Sequence, residues 1–230
     1  MNNDTFAMKP IATIYTDFPT KFGLPRQSLQ TDGLIGRIVF EEEYRNVQAI
    51  RGLEDFSHLW IIWCFSESVQ HEWSPTVRPP RLGGNKRMGV FATRSPFRPN
   101  PLGLSCVKIK KIDLNDLNAP VLYVSGIDMM NGTPIFDIKP YLPYADCVPD
   151  ALGGFGSQQL NQRLDVTFYN GCDCILNEEQ KNILISVLQQ DPRPHYQHDE
   201  TRIYGFPFAG YEVKFKVYEN RLLVIDIIVQ

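Results

Sequence analysis

Cysteine is sparse and unpatterned in this chain: Cys64, Cys106, Cys147, Cys172 and Cys174 are odd in number and form no CxxC pair. A disulfide framework is therefore not the organising device. The N-terminus also lacks a basic segment followed by an apolar one, so a reduced, cytoplasmic protein is expected. Zinc is disfavoured on similar grounds. Cys147, Cys172, Cys174, His195 and His198 lack the regular spacing of a structural site, and no metal is expected. Long apolar runs are missing as well: the longest, Leu59 to Phe65, is too short to cross a bilayer as a helix, so no membrane segment is expected. No GxxxxGK[ST] occurs, and Gly153-Gly154-Phe155-Gly156 stands in a linker-like stretch, which removes P-loop and Rossmann-type sites. Without a GxSxG elbow, Ser105 and the histidines make no recognisable hydrolase arrangement.

What the chain does have is enough apolar material for a sizeable core. Its 230 residues, 43% hydrophobic and 12% aromatic, allow one large domain or one domain with a smaller appendage. Net charge is only −3, which argues against a generally basic nucleic-acid coat. The charge is nevertheless unevenly placed. From Arg78 to Lys111 there are nine basic residues and no acidic one, leaving fourteen basic against twenty-six acidic residues elsewhere. Inside that block, Ser95-Pro96-Phe97-Arg98-Pro99-Asn100-Pro101 is stiffened by three prolines. Each proline removes a backbone donor and restrains its predecessor, so the segment is an ordered extended loop, neither helix nor central strand. An acidic scaffold presenting one basic, rigid loop reads as an anion-binding site.

Short β-branched segments dominate the first two thirds. Strands are expected at Ile11 to Thr16, Leu34 to Phe40, Phe56 to Phe65, Arg87 to Ala92, Leu104 to Leu114 and Val121 to Ile127. An extended segment also follows the turn Asn131-Gly132-Thr133-Pro134. The apolar Phe56 to Phe65 run suits a strand buried on both faces. Glu41 to Gly52 has room for one or two helical turns. In an extended Ile135 to Pro143, Asp137 and Lys139 point to the same side and are placed for an ion pair. The expected fold is mainly β with some helix (α+β): a closed or nearly closed antiparallel β-barrel over residues 1–148 and a small α+β extension over 149–230. In the extension, Asn177 caps a helix with Gln180 three residues on and Ile183, Leu184, Val187 and Leu188 as its apolar stripe. A hairpin of Tyr211 to Tyr218 and Arg221 to Val229 ends the chain.

The residues around the prolines carry a more specific signal. Phe91-Ala92-Thr93-Arg94-Ser95-Pro96-Phe97-Arg98-Pro99-Asn100-Pro101-Leu102-Gly103-Leu104-Ser105 resembles the signature of the TsaA-like, or TrmO, family of β-barrel tRNA N6-adenosine methyltransferases. Pro25-Arg26-Gln27, Leu53 to Trp60 and Asn131 to Tyr141 agree with it, and Asp191-Pro192-Arg193-Pro194-His195-Tyr196 resembles the C-terminal extension of its bacterial branch. The chain departs from the family pattern at Asn131, more often Asp, and at Ser66, often His.

The resemblance implies S-adenosyl-L-methionine as methyl donor and, as acceptor, N6 of the threonylcarbamoyl-modified adenosine beside the anticodon. It also implies a homodimer acting on the tRNA anticodon arm, with no DNA or membrane partner. By the same resemblance, cofactor contacts fall on Pro25, Arg26 and Gln27, on His58 and Leu59, on Arg94 and Leu104, and on Asn131, Gly132, Thr133 and Pro134. Methyl transfer depends on alignment and on an acceptor for the N6–H, for which Asn100 and Asp137 are the candidates.

Several residues carry two readings. Arg98 and Lys139 meet either an anionic substrate group or a neighbouring acid. Arg78, Arg81, Lys86, Arg87, Lys108, Lys110 and Lys111 form either a tRNA-docking surface or a solvated face. Tyr141 and Phe97 either stack on a base or pack in the core. The alternative to the enzyme is a non-catalytic RNA- or anion-binding barrel.

Overall fold

The computed structural model describes residues 6–31, 33–70, 72–79, 82, 86–159, 163–193 and 199–229. Eight strands precede the chain's midpoint or follow it closely: β1 (Ala12–Tyr15), β2 (Ile35–Phe40), β3 (His58–Cys64), β4 (Thr76–Val77), β5 (Met88–Gly89), β6 (Leu102–Asp113), β7 (Val121–Ser125) and β8 (Thr133–Pro140). Six of these close into a barrel in the order β1-β2-β7-β6-β3-β8, every neighbouring pair antiparallel. Closure leaves no free edge, and the period of two sends alternate residues inward. Ala12 and Ile14 of β1, Leu59, Ile61 and Trp63 of β3, Val107 of β6 and Ile135 of β8 fill the interior.

Two expectations need correction. β3 is buried on one face only: Leu59, Ile61 and Trp63 point inward, while His58, Trp60, Ile62 and Cys64 sit on the outer wall half-buried. The apolar run reflects partial cover outside, where Trp60 lies 5.7 Å from the Tyr141 ring, rather than a second core. Arg87 to Ala92 is not a barrel strand. Met88–Gly89 pairs only with Thr76–Val77 in a two-stranded ladder, and Val90–Ala92 turns at once into a 3-10 helix. The prolines that follow cannot supply the donors a longer strand would need. The 3-10 turns at Glu42–Tyr44 and Val47–Ile50 occupy the stretch expected to be helical.

Beyond the barrel come a four-residue helix α1 (Pro143–Asp146), strand β9 (Asp165–Phe168), helix α2 (Glu178–Leu188), and strands β10 (Tyr204–Phe208), β11 (Tyr211–Tyr218) and β12 (Arg221–Val229). The capping box forms as expected: Asn177 accepts from Gln180 N–H, and the Gln180 side chain accepts from Asn177 N–H. The β11–β12 hairpin also forms, and a sheet ordered β10-β11-β12-β9 is built on it, with β9 parallel to β12. This sheet and α2 share one apolar core with the barrel. The link is the long β1–β2 loop, whose Phe22 ring stacks among Tyr204, Phe206 and Phe215 at 6.1 to 6.4 Å between centroids.

Candidate functional site

The proline loop and the β1–β2 loop meet over one end of the barrel and enclose a cleft of about 620 Å³. Its wall takes Arg26 and Gln27 from the β1–β2 loop, Phe91, Arg94, Arg98 and Asn100 from the basic loop, Leu104 from β6, Trp63 from β3, and Asp128 from the segment after β7. Segments remote in sequence thus converge, and three arginines and one carboxylate line the same cleft.

Each group is held by identifiable bonds. Arg94 donates to the Gln27 side-chain carbonyl, and Gln27 Nε2 donates to Arg26 O at 2.6 Å. Arg26 Nη2 donates to the carbonyls of Asp191 and Arg193, each at 3.0 Å, so the C-terminal unit anchors a cleft residue. The Asp191 carboxylate in turn clamps Arg193 at 2.9 Å. Arg98 Nη1 donates to Thr93 O at 3.2 Å, tying the proline loop to itself. At the floor, Trp63 Nε1–H donates to Ser105 Oγ at 2.9 Å, and Ser105 Oγ–H donates to Asp128 Oδ1 at 2.6 Å. Burial pushes the Asp128 carboxyl up to about 6, against the opposing effects of the Ser105 hydrogen bond, backbone donors and the Arg94 charge. Gly103 is required here, since a Cβ would land in the Trp63 ring.

The structure gathers part of the expected site and leaves part elsewhere. Arg26, Gln27, Arg94, Leu104, Asn100 and Arg98 line the cleft, with Pro25 buried beside them. Leu59 points into the barrel core. His58 bonds Ser57 Oγ at 2.8 Å on the outer wall, where Tyr141 packs against it at 6.3 Å. On the same wall Lys139 Nζ lies 2.9 Å from Asp137, fulfilling the expected ion pair, and Asp137 Oδ1 also accepts from Ile138 N–H. The turn Asn131 to Pro134 closes the exit of β1: Asn131 Oδ1 accepts from Thr16 N–H at 3.0 Å, Gly132 N–H bonds Ile14 O, and Thr133 is buried.

The basic residues fall into separate groups. Arg78, Lys86 and Arg87 are exposed around the β4–β5 ladder, with Arg87 bonded to Thr76 Oγ1 at 3.0 Å. Lys108 and Lys110 are exposed on β6, while Lys111 is paired with Asp113 at 2.6 Å. Arg81 lies outside the described residues, as do Pro194, His195, Tyr196 and His198. Among the described residues no three His, Cys, Asp or Glu side chains gather as a metal site would require, and no helix is long and apolar enough to cross a membrane.

The residues missed by motif reasoning are Asp128 and its partners Trp63 and Ser105. A signal was there: Asp128 is the lone acid between Val121 and Met130, an odd residue in an apolar segment.

Family comparisons cover nearly the whole chain. The tRNA-methyltransferase O N-terminal domain matches residues 13–147, and the TrmO C-terminal domain matches residues 161–230. A tRNA (adenine(37)-N6)-methyltransferase of Escherichia coli is 38% identical over 221 residues, 93% of this chain and 94% of the relative. One from Eikenella corrodens is 42% identical over 170 residues, 74% of this chain and 95% of the relative. The crystal structure of TrmO from Pseudomonas aeruginosa superposes with a TM-score of 0.80 at 29% identity, covering 99% of this chain and 98% of its own.

Proposed function

Because the chain belongs to the tRNA-methyltransferase O family, we propose that it transfers a methyl group from S-adenosylmethionine to N6 of adenosine 37 of tRNA, the reaction for which its relatives are named. The finer reading is that the acceptor is the threonylcarbamoyl-modified adenosine, giving N6-methyl-N6-threonylcarbamoyladenosine, and that the work is done in the cytoplasm.

One observation carries this: Arg26, Gln27, Arg94 and Leu104, assigned to the cofactor by resemblance alone, come from three separated segments and line a single cleft. The lining also fits the group chemically. Arginines suit a carboxylate, the Phe65 and Phe91 rings suit an adenine face, and the volume accommodates a molecule of that size. When bound, S-adenosylmethionine supplies an electrophilic methyl on a sulfonium. The protein's part is positioning. Gln27 holds the Arg94 guanidinium, the proline loop fixes Arg98 and Asn100 without conformational search, and the Asn100 amide orients the acceptor's N6–H. Arg98 is the cation for an anionic acceptor group, and Arg78, Lys86, Arg87, Lys108 and Lys110 dock the anticodon arm through its phosphates.

The homodimer belongs to the same reading. Trp60 and Ile62 are half-buried on the outer wall and Leu104 is 55% exposed beside them, an apolar face bordering the cleft. His58, Asp137, Lys139 and Tyr141 stand on this wall, so pairing two copies through it would bring those residues to a neighbouring cleft. The division of the chain near residue 148 then separates a barrel that carries the chemistry from an extension that anchors its first loop.

The test is methyl transfer from isotope-labelled S-adenosylmethionine into tRNA from a strain lacking this protein, followed by nucleoside mass analysis. Label on N6 of the threonylcarbamoyl adenosine is expected, with none in tRNA lacking that modification. Label in unmodified adenosine would correct the acceptor; cofactor binding without transfer to any tRNA would favour the non-catalytic module.

A further inference from the structure

Asp128 is a carboxylate that no motif accounts for. Among the described residues it is the one acid lining the cleft, and none of those lining it is a histidine, cysteine, lysine or tyrosine. The direction of its hydrogen bonds follows from elementary valence. An indole N–H only donates, so Ser105 Oγ accepts from Trp63, and the single Ser105 hydroxyl hydrogen is left for Asp128 Oδ1. Two carboxylate oxygens offer about four acceptor positions and the Ser105 hydroxyl occupies one, so the carboxylate can accept a donor entering from the cleft it lines. Arg94 faces the group from the basic loop, and Arg26 and Arg98 share the cavity; none of these changes charge near neutral pH. Burial nevertheless outweighs them and holds the carboxyl near 6.

Alkylating an adenine N6 that kept its proton would leave a cationic nitrogen, so the transfer needs a proton acceptor. Asn100 offers an amide that accepts a hydrogen bond but cannot take a proton, and Asp137, even where a second copy brings it to the cleft, arrives ion-paired with Lys139 at 2.9 Å. We propose that Asp128 is the general base of the methyl transfer, receiving the N6 proton of the acceptor adenosine through its cleft-facing carboxylate, with Ser105 and Trp63 as positioning residues. This rests on the methyltransferase reading. The N6–carbon bond forms as the methyl–sulfur bond breaks, sulfur keeps that electron pair and becomes a neutral thioether, and the N6 proton passes to Asp128, which returns it to water after product leaves.

The experiment uses the full-length protein with tRNA from the strain lacking it. Single-turnover transfer is followed from about pH 5 to 9 at saturating S-adenosylmethionine for wild type, Asp128→Asn and Ser105→Ala, with melting curves to check folding. S-adenosylmethionine affinity is measured for each, and the Asp128 carboxyl is titrated by NMR in the ligand-free protein. Wild type is expected to lose rate below about pH 6, and Asp128→Asn to lose about 10²- to 10⁴-fold with cofactor affinity within about twofold. Ser105→Ala removes a bond that favours the ionised form, so its NMR midpoint and its acid limb move up together. The proposal is overturned if Asp128→Asn keeps the wild-type rate and pH dependence, or if it loses cofactor affinity while keeping the saturated rate. It is equally overturned if Ser105→Ala shifts the NMR midpoint without moving the limb. Should Asp128→Asn fail to fold, the Ser105→Ala comparison decides. Wild-type protein that puts no methyl on N6 would overturn the methyltransferase reading itself, and the base with it.

Discussion

At the scale of single residues, the cleft keeps groups that cost the fold stability. Asp128 illustrates the sign. Its folded carboxyl sits near 6, above the ordinary 3.8, because ionising it where it is buried is unfavourable. The stability tied to its neutral form is fully present below about pH 4 and is lost as pH rises through about 6, a change of at most roughly 3 kcal/mol. Asp128→Asn is therefore expected to be more stable than wild type at about pH 8, with the difference shrinking below about pH 4, as urea unfolding at several pH values would show. A constant difference across that range would mean that the carboxyl does not titrate there. Gly103 supports the same site from the neighbouring strand. Gly103→Ala pushes the Trp63 ring aside and breaks its bond to Ser105, so a loss of about 1–3 kcal/mol and slower methyl transfer are expected from unfolding curves and rate measurements on one preparation.

At the scale of elements, the β1–β2 loop is held by the C-terminal unit. Gly23 adopts φ +87° directly against the Phe206 ring, with Phe22 stacked in the second sheet and Arg26 bonded to the Asp191-Pro192-Arg193 turn. An alanine at Gly23 meets both an unfavourable backbone conformation and a ring that cannot yield without repacking. Gly23→Ala is expected to lower stability by about 2 kcal/mol or more and to weaken S-adenosylmethionine binding, read by calorimetry, although the residue is not in the cleft. Unchanged affinity in a destabilised variant would separate the loop's anchoring from cofactor binding.

At the scale of the whole molecule, charge and apolar surface sort into different tasks. If the exposed cations of β6 and the β4–β5 ladder contact phosphates, the combined Arg87→Ala, Lys108→Ala and Lys110→Ala variant should flatten the salt dependence of tRNA binding. The slope of log affinity against log salt would fall by roughly 0.7–0.9 per lost contact, while the rate at saturating tRNA holds. If the outer wall is the seam of a homodimer, Ile62→Glu is expected to yield monomers by light scattering, because an ionised group in an apolar interface lacks a partner. Dimers that survive this change would place the interface elsewhere.

What the sequence by itself determined was everything with a local cause. Short β-branched segments marked most of the barrel strands, three prolines forbade regular structure in the basic loop, Asn177 and Gln180 capped α2, and Asp137 and Lys139 met because they lie two apart on one strand. The Arg87 to Ala92 strand failed because its edge found only the two residues of β4 to pair with, a partner that local pattern does not specify. Tertiary structure alone decided which residues share the cleft. Arg26, Arg94 and Asp128 meet through closure of a barrel whose neighbours are not consecutive in sequence, while Asp137, His58 and Asn131 are carried to other walls. Asp128 stayed unread for the same physical reason: a carboxyl's proton affinity is set by the burial and donors around it, and those arrive from β3, β6 and the first loop only when the chain has folded.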